Sequence, residues 1–413
     1  MNRYEKTCAN PNQTGSANSI FHSRVESEKL SALPQYVFAR VNSLRHAART
    51  AGRDVIDLGM GNPDQPTPSH IVDKLCETVR NPRVHGYSTS RGITGLRKAI
   101  CEWYDRRFGV TLDPETEAIA TIGSKEGISH LGLAILNPGD MVIVPSPTYP
   151  SHFYSVAIAG GNIYDVPFST PEKFFDDVEQ ASQHLLPKAK ALVVSFPNNP
   201  TTQTVEIGFF EKIVEFARKE GIIVIRDLAY SEICFDGYVA PSFMQVPGAK
   251  EVGVEFYSLS KTYNMAGWRV GFCVGNPEVI AALTRLKSYY DYGMYTPIQV
   301  AATAALRGPD ECVHKIRDTY RKRRDTIVEG LNRIGWNVDT PKATLYIWAR
   351  IPEEFQEMGS LAFCEMLLER GLVAVSPGIG FGEHGEGFVR FALVENEQRI
   401  RQAVRGIRRA LNA

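Results

Sequence analysis

Short apolar runs alternate with amphipathic stretches along most of the chain. Six of these runs are almost entirely apolar, and a run without polar alternation is typical of a strand buried on both faces of a parallel or mostly parallel sheet. The predicted strands are Ala118–Ile122, Met141–Val144, Ala191–Phe196, Ile222–Ile225, Val254–Tyr257 and Gly271–Val274. Helical periodicity lies between them, as over Lys125–Leu136 and Ile207–Glu220. This repeated alternation predicts a three-layer α/β domain, with helices on both faces of the sheet.

A different pattern occupies the two ends of the chain. Leu33–Ala51 is predicted as an amphipathic helix, because apolar side chains recur there at helical spacing. Pro297–Ile334 is predicted as one long helical stretch, and a basic helix over Gln398–Leu411 closes the chain. Two short strands are predicted between them, near Tyr346–Ile351 and Val389–Ala392. The C-terminal part is therefore predicted to be a second, smaller α+β domain.

The predicted organisation has three parts. Residues 1–54 form an N-terminal arm and a helix that packs with the small domain, residues 55–295 form the large domain, and residues 296–413 form the small C-terminal domain. A chain of 413 residues is long enough for two hydrophobic cores.

Composition removes several classes of protein from consideration. Lys plus Arg number 46 and Asp plus Glu number 46, so the formal charge is zero and nothing favours nucleic acid or an anionic membrane as a partner. Met1–Ser19 is polar and does not resemble a secretory signal. No apolar run approaches the roughly 20 residues that span a bilayer. We expect a soluble, cytoplasmic protein.

The cysteines support the same compartment. They are odd in number, scattered and never spaced as Cys-x-x-Cys, which argues against a disulfide framework and a structural zinc site and fits a reducing cytoplasm. The seven are Cys8, Cys76, Cys101, Cys234, Cys273, Cys312 and Cys364.

The most informative residue is Lys261, which follows the predicted strand Val254–Tyr257. Apolar surroundings at a strand end disfavour the ammonium form of lysine, so its neutral amine can form a Schiff base with an aldehyde. Ser258, Ser260 and Arg269 are residue types that bind a phosphate ester. Together they indicate pyridoxal phosphate held covalently on Lys261.

Four other loops follow predicted strands, at the edge where ligands of α/β sheets bind. Thr121–Gly127 opens a helix, and its amides predict an anion site. Tyr149 offers a ring for stacking, and Asn199 offers a hydrogen bond fixed by the proline that follows it. Asp227 leaves an apolar strand, where its carboxylate needs a cation such as a protonated pyridine nitrogen. Each segment alone also suits a structural role, for example as a helix cap, and only their joint occurrence points to one cofactor.

With these residues, the chain resembles the fold-type-I pyridoxal phosphate aminotransferases of class I/II from about Leu33 to Leu411. The matching motifs are Leu58–Asp64, Tyr87–Gly92, Asn198–Thr201, Asp227–Tyr230, Ser258–Lys261 and Val389–Phe391. Within the family the chain is most similar to the bacterial alanine-forming glutamate–pyruvate aminotransferases. The segments that carry this similarity are Gly123–Gly127, Asp227–Tyr230, Tyr263–Arg269 and Ser376–Gly382. One departure is Thr202, where many members of the family have glycine.

The resemblance implies a role for each cofactor-binding residue. Lys261 carries the cofactor and then moves the substrate proton, and Asp227 keeps the pyridine nitrogen protonated. Asn199 and Tyr230 bind the phenolic oxygen, and Tyr149 stacks on the ring. The phosphate is held by a larger set, which comprises the amides of Ser124 and Lys125, the hydroxyls of Ser258 and Ser260, the guanidinium of Arg269, and Tyr87 of a neighbouring subunit.

The resemblance also implies how the substrate is bound. Arg390 offers a planar fork to the α-carboxylate, assisted by Asn199, and Gly61 allows the carboxylate to approach the backbone. Lys125 is a candidate for a distal carboxylate. Two further candidates for the pocket are Tyr36 and Tyr295.

The expected function is an L-amino acid:2-oxoacid aminotransferase, most of all an alanine–glutamate enzyme with a ping-pong mechanism, which acts as a homodimer with shared sites. An LL-diaminopimelate or aspartate aminotransferase and a β-lyase or synthase on the same fold stay open. A transcription regulator is disfavoured, because the residues before the family match are few and not basic. The expected partners are small amino acids, 2-oxoacids and a second copy of the chain, with no nucleic acid and no membrane.

Overall fold

Three sheets and the helices around them make up the described part of this computed structural model, which covers residues 27–31, 33 and 37–412. The strands are β1 (Ile56–Asp57), β2 (Ala118–Thr121), β3 (Met141–Ser146), β4 (Asn162–Pro167), β5 (Ala189–Ser195), β6 (Ile223–Asp227), β7 (Gly253–Ser258), β8 (Gly271–Gly275), β9 (Tyr346–Arg350), β10 (Val373–Ala374), β11 (Ser376–Pro377) and β12 (Phe388–Ala392).

The α-helices complete the set of regular elements. They are α1 (Glu28–Ser31), α2 (Phe38–Thr50), α3 (Ser69–Val79), α4 (Thr94–Phe108), α5 (Ser124–Ile135), α6 (Ser151–Ala159), α7 (Pro171–His184), α8 (Ile207–Glu220), α9 (Ala249–Val252), α10 (Leu259–Thr262), α11 (Pro277–Tyr290), α12 (Thr296–Arg307), α13 (Glu311–Arg333), α14 (Gly359–Gly371) and α15 (Glu397–Leu411). Short 3₁₀ turns cover Pro82–Val84, Phe243–Gln245, Ala266–Trp268, Glu353–Met358, Gly378–Phe381 and Glu383–Gly385.

The large sheet has the order β2-β8-β7-β6-β5-β3-β4. Neighbouring strands pair in parallel except at β8, which runs antiparallel to both β2 and β7. The prediction of a mostly parallel sheet is confirmed, and all six predicted strands are present. The sequence analysis missed β4, an edge strand that is largely exposed and therefore lacks an apolar run.

Helices cover both faces of the large sheet, as the alternation of strands and helices predicts. In β5, Leu192 and Val194 face the core that includes α4 and α8, whereas Ala191 and Val193 face the core that includes α5 and α11. Successive side chains of a strand point to opposite faces, so one buried strand serves two cores. The predicted three-layer α/β fold class is confirmed.

Strand direction brings the carboxyl ends of six strands to one edge of the sheet. Because β8 is antiparallel to its two neighbours, β2 runs parallel to β7, and the carboxyl ends of β2, β3, β4, β5, β6 and β7 lie at the same edge. The first residue of β8, Gly271, pairs with Thr121 on one side and with Ser258 on the other. The segment before β8 therefore joins the same edge.

A smaller antiparallel sheet has the order β11-β12-β9. It contributes to a separate core together with apolar residues of α13, α14 and α15. The two-residue strand β1 pairs in parallel with β10, and Ala392 donates its N–H to the carbonyl of Leu58 at 2.6 Å. These contacts hold the segment after β1 beside the end of β12.

Two predicted helices differ from those in the structure. The stretch over Pro297–Ile334 is two helices, α12 and α13, because Pro309 lacks the N–H that a continuous helix needs and lies in the break between them. The N-terminal helix is described from Phe38, and its Leu44 and Ala48 pack against a small apolar cluster of Val55, Leu368 and Ala374. The domain boundaries at residues 54/55 and 295/296 stay a prediction.

Residues 27–31 and 33 belong to a different compact unit from the rest of the described chain. Across all described positions, no helix combines the length and the apolar character that crossing a bilayer requires. The six cysteines that the structure describes are free thiols.

A buried ion pair ties β5, β6 and β7 together beneath the shared edge. Arg226 donates to the carbonyls of Asp227 (2.7 Å) and Phe196, and its Nε lies 3.8 Å from Glu255 Oε2. Glu255 also accepts from Tyr104 and from other donors, and both charged residues are 0% exposed. Burial lowers the pKa of Arg226 and raises the pKa of Glu255, so each group depends on the other to stay charged.

We expect Arg226→Met to lower the free energy of unfolding by about 3–5 kcal/mol, because it leaves the carboxylate of Glu255 buried without its cation. Chemical denaturation measures the change. Arg401→Met makes the same substitution at an exposed position and should change stability by less than about 0.5 kcal/mol. Equal effects of the two substitutions would contradict the role of the buried pair.

Candidate active site

Lys261 lies in the short helix α10, directly after β7, and it is partly buried. Its Nζ donates to the carbonyl of Gly61 at 2.5 Å. Burial, with the positive charges of Arg390 and Arg269 nearby, lowers the pKa of Lys261 to about 7. A lysine with this pKa is a nucleophile near neutral pH, because a large fraction of it is the free amine.

Asp227 is the last residue of β6 and is buried. Its Oδ2 lies 3.1 Å from Nε2 of His152, and Nδ1 of His152 lies 2.8 Å from Oγ1 of Thr148. Its Oδ1 has no hydrogen-bond partner among the described residues. A buried carboxylate oxygen without a donor is costly, so this atom is ready to accept a hydrogen bond from a ligand.

The sequence analysis missed His152. This histidine is fully buried in the first turn of α6, the helix that begins just after the loop of Tyr149. A signal was present, since a histidine placed shortly after a strand end lies at the same edge as Asp227. The ring of Tyr149 meets the ring of His152 edge-on, with centroids 5.8 Å apart.

Residues from three strand ends form a cup at the N-terminus of α5. A side chain at Gly123 would overlap the guanidinium of Arg269, and a Cβ at Gly271 would lie 2.8 Å from the backbone nitrogen of Ser124. Only glycine at these positions lets the arginine and the helix N-terminus come together. Ser258 accepts from the N–H of Ser260 at 3.2 Å, and their hydroxyls lie 3.0 Å apart. Backbone amides, hydroxyls and a cation at one helix N-terminus suit a phosphate.

Glu126 holds the turn of this cup in place. Its Oε2 accepts from the N–H of Ile122 at 2.8 Å, and its Oε1 accepts from Nζ of Lys287 at 2.7 Å. Lys287 is fully buried and also donates to Asp291 at 2.7 Å. The strand-to-helix turn is therefore fixed by side chains from α5 and α11.

Arg390 lies on β12 and is buried. It donates to Oδ1 of Asn199 at 2.7 Å and to the carbonyl of Gly59 at 2.9 Å. Its Nε has no partner among the described residues, and no carboxylate among them forms an ion pair with this guanidinium. A buried cation whose nearest acceptors are neutral has an unmet preference for an anion.

Asn199 keeps its place despite the departure at Thr202. Thr202 has φ of +63°, the left-handed region that glycine enters without cost, and its N–H donates to the carbonyl of Asn198 at 3.0 Å. Asn198 also receives the N–H of Thr201 on its side-chain oxygen at 3.1 Å. These bonds close the turn in spite of the threonine.

Two tyrosines, Tyr230 and Tyr346, contact each other near Asp227 and Arg390. The hydroxyls of Tyr230 and Tyr346 lie 3.1 Å apart, and burial together with Tyr346 raises the pKa of Tyr230 well above its usual value. Tyr346 was missed by the sequence analysis, because it stands in an ordinary apolar strand without a motif around it.

The remaining predicted residues lie further out. Lys125 is exposed in the first turn of α5, so its contact with a substrate stays a prediction. Tyr87 is 94% exposed, and its ring lies 5.3 Å from that of Tyr292. Tyr295 is 41% exposed and lies beside His85, and Tyr36 is outside the described residues.

Comparison with known proteins agrees with this geometry. The sequence model of the family described as aminotransferase class I and II matches residues 53–407. The chain is 54% identical over 385 residues to the glutamate-pyruvate aminotransferase AlaC of Escherichia coli, with 93% of each chain covered. It is 46% identical over 386 residues to an LL-diaminopimelate aminotransferase of Moorella thermoacetica, with 94% of this chain and 98% of the relative covered.

A solved structure gives the same result. Apo-BacF of Bacillus subtilis superposes with a TM-score of 0.89 at 37% identity, covering 94% of this chain and 98% of BacF. The chain belongs to the class I and II aminotransferases. It is an aminotransferase that depends on pyridoxal phosphate, the cofactor of this family.

The residues at the shared edge fit this cofactor. The unpartnered Oδ1 of Asp227 suits a protonated ring nitrogen, the cup around Gly123 and Arg269 suits a phosphate, and the amine of Lys261 suits an aldehyde.

We expect the attachment of pyridoxal phosphate to the cofactor-free protein to speed up with rising pH around a midpoint near pH 7. Only the neutral amine attacks the aldehyde, and the pKa of Lys261 is lowered to about 7. Stopped-flow absorbance measures the rate. An Arg390→Met variant removes one nearby positive charge and should move the midpoint upward. A midpoint close to that of an unperturbed lysine, about 10.4, would contradict the lowered pKa.

Proposed function

We propose that this enzyme transfers amino groups between L-amino acids and 2-oxoacids and that its physiological pair is glutamate–pyruvate, which makes alanine. The observation that supports the transfer chemistry is the buried guanidinium of Arg390, which has no carboxylate partner in the described part of the chain and lies near the amine of Lys261, whose pKa is lowered to about 7. A carboxylate bound at Arg390 completes the ion pair that the protein leaves open. The choice of glutamate and pyruvate rests on the relative that is 54% identical over 93% of the chain.

In the proposed site, four side chains bind the cofactor ring. Asp227 accepts from the ring nitrogen and is itself oriented by His152. The Oδ1 atom of Asn199 is occupied by Arg390, so its amide nitrogen is the atom that donates to the phenolic oxygen, together with the hydroxyl of Tyr230. Tyr149 covers one face of the ring. When bound, pyridoxal phosphate supplies an electron sink for negative charge at the substrate Cα.

The phosphate is proposed to bind in the cup around Gly123. The amides of Ser124 and Lys125 donate from the helix N-terminus, Ser258 and Ser260 donate through their hydroxyls, and Arg269 supplies the charge. The five positions come from three different strand ends, so the phosphate also fixes their relative places.

Arg390 and Lys261 divide the work on the substrate. The guanidinium holds the α-carboxylate, with Gly61 opposite, so that the Cα–H bond keeps one orientation. With pyridoxal phosphate bound, the Nζ atom of Lys261 would move the proton between the substrate Cα and the C4′ atom of the cofactor. Its low pKa matches this task, because a base works best when its pKa lies near the operating pH.

The family contains a second candidate substrate. LL-diaminopimelate stays open because a relative named for it is 46% identical over 94% of the chain. Lys125 could bind a distal carboxylate of glutamate or of a longer substrate from its exposed position at the mouth of the cup. Aspartate is the third candidate, because it also has a distal carboxylate for Lys125 to bind.

We expect alanine to convert the bound cofactor to its amine form and 2-oxoglutarate to restore it, because the two half-reactions share one site. Absorbance spectra follow both steps, and kcat/KM is compared for alanine, glutamate, aspartate and LL-diaminopimelate. Alanine and glutamate should exceed the other two by at least tenfold, a difference of about 1.4 kcal/mol in the transition state. A preference for LL-diaminopimelate would replace the proposed substrate pair. Ammonia and pyruvate released from a cysteine conjugate, whose thiol is the leaving group, without an acceptor acid would favour a β-lyase.

We also propose a homodimer in which Tyr87 of one chain reaches the phosphate bound by the other. The 94% exposure of this tyrosine supports the proposal, because its side chain is accessible to a second copy of the chain. Cytoplasmic localisation stays a prediction.

A mixture of two inactive or weakened variants tests the shared site. Lys261→Ala abolishes transfer and Tyr87→Phe weakens phosphate binding. If Tyr87 acts across the interface, a mixed dimer contains one site with both changes and one site with neither, so activity should recover on co-expression. Turnover at a limiting cofactor concentration measures it. No recovery, with mixed dimers demonstrated by differential tags, would place Tyr87 in its own subunit's site or outside any site.

A further inference from the structure

Tyr346 contacts both Tyr230, on the cofactor side of the proposed site, and Arg390, on the substrate side, although no sequence motif includes it. It lies on β9 and is 3% exposed, and its register partner on β12 is Ala392, two residues from Arg390. It touches three of the residues discussed above: its hydroxyl lies 3.1 Å from that of Tyr230, its ring lies under Arg390, and a Cβ added at Gly61 would overlap its phenol.

The ring of Tyr346 holds the guanidinium. Cζ of Arg390 lies 4.1 Å from the centroid of Tyr346 and 4.6 Å from the centroid of Phe381. Aromatic faces at this distance attract a guanidinium, and the attraction is stronger in a site that excludes water. Arg390 has no acid among its described partners, so these two rings and three neutral oxygens, of Asn199, Gly59 and Ser376, are what hold its plane.

The hydroxyl of Tyr346 acts on a different neighbour. In a pair of hydroxyls only one donates to the other. If Tyr230 donates to the cofactor's phenolic oxygen, as proposed above, its own oxygen must accept, and Tyr346 is the donor. A chain of two hydrogen bonds polarises its members in one direction, so the first donor strengthens the second.

We propose that Tyr346 is a positioning residue with two separable parts: its ring orients Arg390 for the substrate carboxylate, and its hydroxyl orients Tyr230 toward the cofactor's phenolic oxygen. The proposal rests on the proposed function. The ring of Tyr346 then contributes to substrate binding. Its hydroxyl contributes to the proton affinity of the bond between Lys261 and the cofactor.

The two parts predict different effects for two variants. Tyr346→Phe removes the oxygen and keeps the ring. The bond between Lys261 and the cofactor should then lose its proton at a pH about 0.5–1 unit higher than in the unmodified protein, because the phenolic anion loses part of its hydrogen bonding. The KM for alanine should stay within about twofold. Tyr346→Leu removes the ring as well, and the KM for alanine should rise by about tenfold or more.

The experiment uses the cofactor-loaded protein. Visible absorbance against pH gives the midpoint, and steady-state kinetics with alanine and 2-oxoglutarate separate KM from kcat. Tyr320→Phe is the matched control: Tyr320 is 1% exposed, and its hydroxyl has no hydrogen-bond partner among the described residues, so its removal should move neither quantity.

An unchanged midpoint in Tyr346→Phe would overturn the role of the hydroxyl. A rise in KM as large in Tyr346→Phe as in Tyr346→Leu would overturn the separation of ring and oxygen, and an equal midpoint shift in Tyr320→Phe would show that the effect is general to buried tyrosines. Failure of the proposed function looks different, since the unmodified protein would then show no half-reaction with any amino acid tested.

Discussion

The fold keeps charged groups buried at one edge of the large sheet without fully pairing them. Among the residues that the structure describes, Asp227 has one oxygen bound by His152 and one oxygen without a partner, and Arg390 has neutral acceptors only, while the pKa of Lys261 is lowered to about 7. Each of these arrangements costs free energy. In the proposed site, a zwitterionic cofactor with an aldehyde, together with a carboxylate substrate, would remove all three deficits at once.

The rest of the chain can be understood as support for that edge. Arg226 ties the ends of β5 and β6 from below, Glu126 fixes the turn into α5, and β1 carries Gly59 to Arg390. These supports come from different parts of the sequence. The position of the Arg390 guanidinium relative to the Lys261 amine therefore depends on packing between elements far apart in the chain, rather than on any local segment.

The sequence predicted the features that depend on local pattern. Apolar runs identify the buried strands. Asn199, Asp227 and Lys261 lie at or just after the ends of these strands, in a recognisable order. Features that depend on partners in space were missed: β4 is an exposed edge strand, and Tyr346 has the composition of any core position. The prediction of a single helix over 297–334 was wrong for a local reason that the sequence already shows, the proline at position 309.

The contact between Gly61 and Tyr346 limits how this pocket can be remodelled. A side chain at position 61 has no room while the phenol occupies that space. Efforts to widen or reshape the amino-acid range of the enzyme by laboratory evolution would therefore have to change residue 346 first, and libraries that vary the glycine alone would be expected to return mainly misfolded or inactive clones.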